Sequence, residues 1–341
     1  MVRIIHFLTL FSCLQVLPAF ACDLCSRYDY ANLENKHYLG FFYHRDVFNG
    51  YNTHDHRHYF TPSAAKLAHG GVGPVTHYIE PAQRDHQIMN VGELRYNHNL
   101  NDKFNFAIMI PFRYNKDHYS VVYPPLGPAQ DSTSYSSGLG DIMLTADKLS
   151  MIEGDLWTHL FKYGAGLSLP TGRFSLEDEQ GNPSEPVHEP GIGSFAAFLR
   201  FSYTLTKQKR WGFMTFSTYS RSLDNRAGDQ LGSASPHFSS QHYSFGDVLF
   251  NNITAFRTFE WNVVHITPRL GLASEWQQRN RLNDEPLEST GHYVCFVTPG
   301  IDIHYDAFTF RIQHNKPLYQ DLNDEQMGHA GRLTTGIIYA F

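Results

Sequence analysis

KFNFAIMIPFRY (residues 103–114) alternates along its whole length. Phe104, Phe106, Ile108, Ile110, Phe112 and Tyr114 fall on one face, and Asn105, Ala107, Met109, Pro111 and Arg113 on the other. Period two marks extended chain, because successive side chains of a strand point to opposite sides. The pattern recurs in AFTFRIQHN (307–315) and FKYGAGLSLPTG (161–172). Soluble strands usually run about five to six residues. A strand crossing a bilayer at a tilt needs about 9–11, and these runs reach that length.

Extending the pattern gives candidate strands at 36–47, 86–98, 102–115, 135–149, 156–171, 191–206, 210–222, 239–258, 261–277, 291–305, 306–318 and 332–341. That is about 12 strands, an even number as single-chain bacterial barrels require. NLND, SMIEGD, TKQK, TFEW and YDA are tight turns between them, alternating with long segments rich in Pro, Gly, Asn, Asp and His. Short periplasmic turns and long extracellular loops are the asymmetry of an outer-membrane barrel. RLTTGIIYAF (332–341) then reads as a strand with Leu333, Ile337, Tyr339 and Phe341 toward lipid. Arg332, Thr334, Gly336, Ile338 and Ala340 face the lumen. The predicted fold class is therefore all-β: an antiparallel transmembrane β-barrel that pairs its last strand with its first, leaving no edge in hydrocarbon. The bacterial outer membrane is the predicted location, and Phe341 is the predicted signal to barrel-assembly machinery. Two segments resist assignment. In HYSFGDVLFNNITAFRTF (242–259), Asp247, Asn251 and Arg257 share parity with Phe245, Leu249 and Ile253, which calls for a bulge that switches faces. WGFMTFSTYSR (211–221) gives no clear face. A soluble β-sandwich has the same period, but the strand length and terminal Phe argue against it.

Ahead of the barrel, Arg3, the apolar IIHFLTLFSCLQVL and Ala19-Phe20-Ala21 form the three parts of a signal peptide at 1–21. Residues 22–35 read as a periplasmic segment, and 36–341 as the barrel. Lipidation of Cys22 is the alternative fate of the new N-terminus. Of 341 residues, 15% are aromatic and 18% charged, and the formal net charge is −6. This balance, without a basic stripe, excludes a nucleic-acid footprint.

Four stretches carry a resemblance. GLGDIMLTADKL (138–149) followed by KYGAGLSLPTGRF (162–174) resembles the barrel family named for the MetA pathway of phenol degradation. QHNKPLYQDLNDEQMG (313–328) is similar to the penultimate-strand segment of those proteins, and ACDLCS (21–26) to Cys-Asp-x-Cys openings of uncharacterised exported barrels. The resemblance implies the barrel fold and a transport role; it implies no particular ligand.

Parity places Glu93, Arg95, Arg113, Asp141, Lys162, Arg200, His265, Arg269, Glu275, Asp302, His304, Arg311 and Arg332 inside. A charge on the lipid face costs up to about 2–4 kcal/mol at the midplane. These side chains are thus driven inward, either as a salt-bridged filling or as a channel lining that selects solutes. Passive transport or binding of a small solute is the primary functional reading. A copper- or zinc-handling barrel is the alternative. It would use Cys22 and Cys25 of CDLC together with His54, His56 and His58 of THDHRHYF, since imidazole and thiolate suit those metals. Cys22 and Cys25 are equally a short disulfide in an oxidising compartment. A barrel hydrolase is the third reading, although neither G-x-S-x-G nor H-E-x-x-H occurs. No cofactor beyond copper or zinc is called for; membrane lipid and a small solute are the partners.

Overall fold

A computed structural model describes residues 37–51, 78–79, 85–101, 103–122, 130–174, 186–208, 210–223, 243–282, 284–288, 290–323 and 326–341. The signal peptide, Cys22, Cys25 and the His54–His58 cluster lie outside the described residues.

Twelve antiparallel strands close into a barrel. They are β1 (Tyr38–Tyr51), β2 (His86–Asn101), β3 (Phe104–Val122), β4, β5 (Trp157–Leu169), β6 (Ala196–Lys207), β7 (Trp211–Ser222), β8 (Val248–Arg257), β9 (Val264–Gln277), β10 (His292–Tyr305), β11 (Phe308–Leu322) and β12 (Met327–Ala340). Strand β4 comes in two segments, Gln130–Leu139 and Ile142–Glu153. Each strand pairs with its neighbours in sequence, and β1 pairs with β12 from Tyr38↔Ala340 to Tyr51↔Met327. The pairing of β8 with β9 completes the ring. A closed ring of ladders lets backbone donors and acceptors at membrane depth pair without water. Three of the periplasmic turns contain a residue of positive φ, Gln208, Asn262 and Asp306. Asn and Asp tolerate that conformation better than other side chains.

The alternation sorts faces as it should in lipid. Phe41, Phe106, Ile108, Phe112, Leu167, Leu199, Ile253, Leu272, Ile312 and Ile337 are exposed. Their sequence neighbours Phe42, Asn105, Ala107, Met109, Ser168, Arg200, Asn252, Thr254, Arg311 and Ile338 are buried. Aromatic side chains gather at the periplasmic rim. Trp157 meets Trp211 edge-on with ring centroids 5.2 Å apart, and Lys207 lies 5.6 Å from the first ring and 5.7 Å from the second. Phe308, Tyr339 and Phe341 continue that girdle, the interfacial feature of outer-membrane barrels.

The β8 region corrects the expected bulge. No face switch occurs within Val248–Arg257: Val248, Phe250, Asn252 and Thr254 are all buried on the inner side. Each misplaced polar residue has its own solution. Asp247 precedes the strand. Asn251 faces outward and accepts a hydrogen bond from Ser217 Oγ on β7 at 2.8 Å. Arg257 lies at the periplasmic end over the Phe259 ring at 4.9 Å. In β7 the inner face is Gly212, Met214, Phe216, Thr218, Ser220 and Ser222.

One irregularity shapes the interior. Pro111 in β3 has no N–H to give. The partner strand β4 breaks opposite it at Gly140 and Asp141, with Gly140 N donating to Pro111 O at 2.9 Å. The inner segment of β4 pairs with Phe104–Met109 and the outer segment with Phe112–Val121. The break leaves Asp141 buried and aimed into the outer mouth. The outer part of this hairpin runs past residue 115, so Asp117, expected in a loop, is part of the strand.

Candidate functional site

Among the described residues, the inner wall is where charged and hydrogen-bonding side chains concentrate. Four charged clusters line it among the described residues, each assembled by inward-facing positions on different strands. Near the periplasmic end Asp302 of β10 sits between Arg269 of β9 and Arg311 of β11, which stand on either side of it in the sheet. Arg269 Nη2 donates to Asp302 Oδ1 at 3.0 Å, and Arg311 donates through Nε and Nη2 at 2.9 and 3.0 Å. The fork geometry of arginine matches a carboxylate in this bidentate fashion. At mid-height Asp147 of β4 lies 3.2 Å from Lys162 Nζ of β5 and 3.7 Å from Arg200 Nη1 of β6. Arg95 pairs with Glu93 two residues away on the same inner face of β2, Nε donating to Oε1 at 2.8 Å. Its guanidinium lies 4.5 Å from the centre of the Phe42 ring. That ring fits because Gly40 and Gly336 flank it; a Cβ at either would collide with it.

The fourth cluster reaches across strands that are not neighbours. Arg332 of β12 donates through Nε to Asp46 Oδ2 of β1 at 2.9 Å and through Nη1 to Glu275 Oε2 of β9 at 2.6 Å. Phe296 lies beneath its guanidinium at 4.9 Å, and His292 Nε2 is 3.1 Å from Glu275 Oε1. With β10 and β11 standing between β9 and β12, this is a brace through the lumen rather than a ladder contact.

The outer mouth is narrowed by a strap, residues 186–194, which includes a short 3-10 turn at Pro186–His188. Its backbone is tied to the wall. His188 O accepts from Asn115 Nδ2 at 2.6 Å and Ser136 Oγ at 2.5 Å, and Glu189 O from Arg113 Nη1 at 3.5 Å. Asp141 accepts from Gly172 N at 2.9 Å and Ile192 N at 2.7 Å. The His188 ring lies between Asp117, with Nδ1 2.9 Å from Oδ2, and Gln87, which meets Nε2. Ile192 packs with Ala196, Tyr243 and Phe245 above the polar zone.

The sequence-predicted lumen residues thus divide in three. Glu93, Arg95, Asp141, Arg200, Arg269, Glu275, Asp302, Arg311 and Arg332 are buried on the inner side. Arg113 and Lys162 are inward and half-buried. His265 shares the inner parity but is exposed at the periplasmic end, opposite His304 in register. Asp46, Asp117, Asp147 and His188 were not singled out by sequence. Asp46 and Asp147 carried the needed signal, since each shares parity with inner residues of its own strand. Among the described residues no group of three or more His, Cys, Asp or Glu is placed to hold a metal. The Asp117–His188 pair has the form of an acid–base dyad, but its other ring nitrogen is engaged by the Gln87 amide, and the Ser136 hydroxyl is spent on the His188 carbonyl. Cys295 lies on the outer side, its thiol 3.2 Å from the Tyr293 hydroxyl.

No family model and no curated protein matches the chain. Among solved structures it is similar to an outer membrane channel from Pseudomonas putida F1, with a TM-score of 0.60 and 16% identity over 92% of this chain and 98% of that one. It also aligns with the transport unit of the autotransporter AIDA-I from Escherichia coli, with TM-score 0.43 and 7% identity over 94% of each chain. The translocator domain of the autotransporter NalP from Neisseria meningitidis gives TM-score 0.41 and 8% identity over 93% of each. These last two carry no argument. The first shows the fold, that of a bacterial outer-membrane β-barrel, and the outer membrane is where such a closed ring with an apolar outer belt resides.

Proposed function

We propose that this barrel passes a small polar solute through its lumen and that the 186–194 strap is the gate. One observation carries the reading. From the periplasmic Arg269–Asp302–Arg311 cluster to the Asp117–His188 pair at the outer mouth, charged and hydrogen-bonding side chains recur along the inner wall, interrupted by apolar clusters such as Met214–Phe216–Phe250–Phe296 and Val91–Met109–Met143–Phe198. Such groups can replace part of a solute's hydration shell. A barrel of this size can be filled by its own side chains or hold a narrow passage. Here the mid-level charges are nearly sealed from water, so the closed form depends on movable pieces. The strap is the best candidate, because side-chain hydrogen bonds and the Asp117–His188 contact hold it where the strands themselves are held by backbone ladders. The resemblance to a channel from Pseudomonas putida supports this reading at the level of fold. The inner charges Glu93, Arg95, Lys162, Arg200, Arg269, Asp302, Arg311 and Arg332 are its selectivity candidates. We read the protein as non-enzymatic.

Planar-bilayer recording tests this. Wild-type barrel is expected to stay mostly closed with brief openings. An Asp141→Ala, Asn115→Ala, Ser136→Ala variant, which loses the side-chain ties to the Ile192 amide and the His188 carbonyl, is expected to conduct steadily. A correctly folded strap-released barrel that remains silent, and that releases no sugar or amino acid from loaded liposomes, would overturn the proposal.

A further inference from the structure

The outer wall is not uniformly convex. Across β4, β5, β6 and β7 it carries a concavity of about 600 Å³, lined almost wholly by carbon and open toward lipid. Its floor exists because small residues meet there. Ala146 pairs with Ala165 in register, and Ala197 stands beside Leu167. Leu199 and Tyr219, opposite each other on β6 and β7, form one wall. At the outer end Arg221, paired in register with Ala197, closes the trench. The Asp247 carboxyl group, buried beyond the end of β8, lies within electrostatic reach of it. Phe, Leu and Ile fill many of the outward positions of the belt, and here three alanines in adjoining strands make a local recess.

We propose that this trench seats an acyl chain of an outer-leaflet lipid whose head group is an anionic phosphate monoester, with Arg221 beside that phosphate. Hydrocarbon must fill a recess at this depth, because neither water nor a void is stable there. A chain lying in it touches wall on more than one side, and association within lipid rests on such packing. The guanidinium selects the head group: an arginine presents a planar fork of donors that suits a phosphate. It stands at the outer end of the trench, where a head group would lie if the chain ran inward from it. This inference does not depend on solute passage; it concerns the opposite face of the sheet.

Native mass spectrometry tests it on the full barrel, extracted from vesicles that hold equal amounts of phosphatidic acid and phosphatidylcholine with identical chains. Wild type is expected to retain one phosphatidic acid with roughly tenfold preference over phosphatidylcholine. Ala146→Leu, Ala165→Leu, Ala197→Leu fills the trench with residues typical of the belt and is expected to retain neither lipid. Arg221→Gln is expected to retain lipid without the preference. Ala197→Phe alone is the second variant should the triple substitution not assemble; folding of each is read from heat-modifiable gel migration. Equal retention by wild type and a folded, filled variant, or no head-group preference in wild type, would mean ordinary annular lipid and would overturn the proposal.

Discussion

Replacing Arg332 by Met should weaken the barrel more than any other single change in the lumen. Arg332 is 2% exposed and neutralises two carboxylates, Asp46 and Glu275, that are themselves buried. Methionine keeps the packing against Phe296 but leaves both acids without their shared cation. His292 can still serve Glu275, whereas Asp46 loses its Arg332 partner. Breaking a buried ion pair by removing one member costs about 3–5 kcal/mol, because the desolvated charge is left behind. At about 1.4 kcal/mol per tenfold, this lowers the folding equilibrium by a factor of roughly 10² to 4 × 10³. Urea unfolding of the barrel in phospholipid vesicles, followed by tryptophan fluorescence, measures it directly. Removing all three charges together, Arg332→Met with Asp46→Asn and Glu275→Gln, should restore most of the loss, since a buried ionic set and its neutral replacement often differ little. If Arg332→Met stays within about 1 kcal/mol of wild type, the range of a solvated surface pair, then water reaches this brace and the picture of a sealed mid-section is wrong.

Four further outcomes follow from particular contacts. Asp141→Ala strands the Gly172 and Ile192 amides and should cost about 1–3 kcal/mol, seen as faster limited proteolysis within 172–194 at unchanged gel migration. Gly166→Val places a branched side chain against the Phe198 ring and should cost about 1–3 kcal/mol by overpacking, measured by the same urea titration. Ile253→Arg, on the exposed outer face of β8, should cost about 2–4 kcal/mol if that face meets the bilayer midplane, while Ile253→Leu should be neutral. Asp247, beyond the outer end of β8, has its carboxyl pushed up from 3.8 to about 8 by burial, with Arg221 and Arg281 pulling the other way. The folded chain then holds a proton that the unfolded chain has released between those values, so stability from this group is present at low pH and falls as pH rises toward 8. Asp247→Asn should flatten that portion of the pH–stability curve.

How much of this was open to a reader of the sequence depended on range. Alternation is local, and it assigned faces correctly wherever the run was clean, as in Phe104–Tyr114. It failed at β8 because parity alone treats Asp247, Asn251 and Arg257 as equals. Chain geometry treats them as a strand flank, a cross-strand hydrogen bond and an interfacial side chain. The charges on the inner face were legible as a set; their partners were not. Glu93–Arg95 lies within one strand and Arg269–Asp302–Arg311 on adjoining ones. The Asp46–Arg332–Glu275 brace depends instead on barrel radius and stagger, which no period reports. The strap eluded the sequence for a related reason. Its anchors are backbone amides and carbonyls, and Asp141 reaches two of them only because Pro111 forces a break in the facing strand.

The β1–β12 seam has a kinetic consequence. Residues such as His44 and Thr334 meet across it, although nearly the whole polypeptide lies between them. The entropy of closing so long a loop grows only with the logarithm of its length, so the difficulty is one of timing. Until the final strand arrives, the first presents a bare row of amides and carbonyls, and in hydrocarbon nothing else can satisfy them. The cylinder must therefore zip shut in one late, all-or-nothing event, and an assembling chain needs shelter for its leading edge until then.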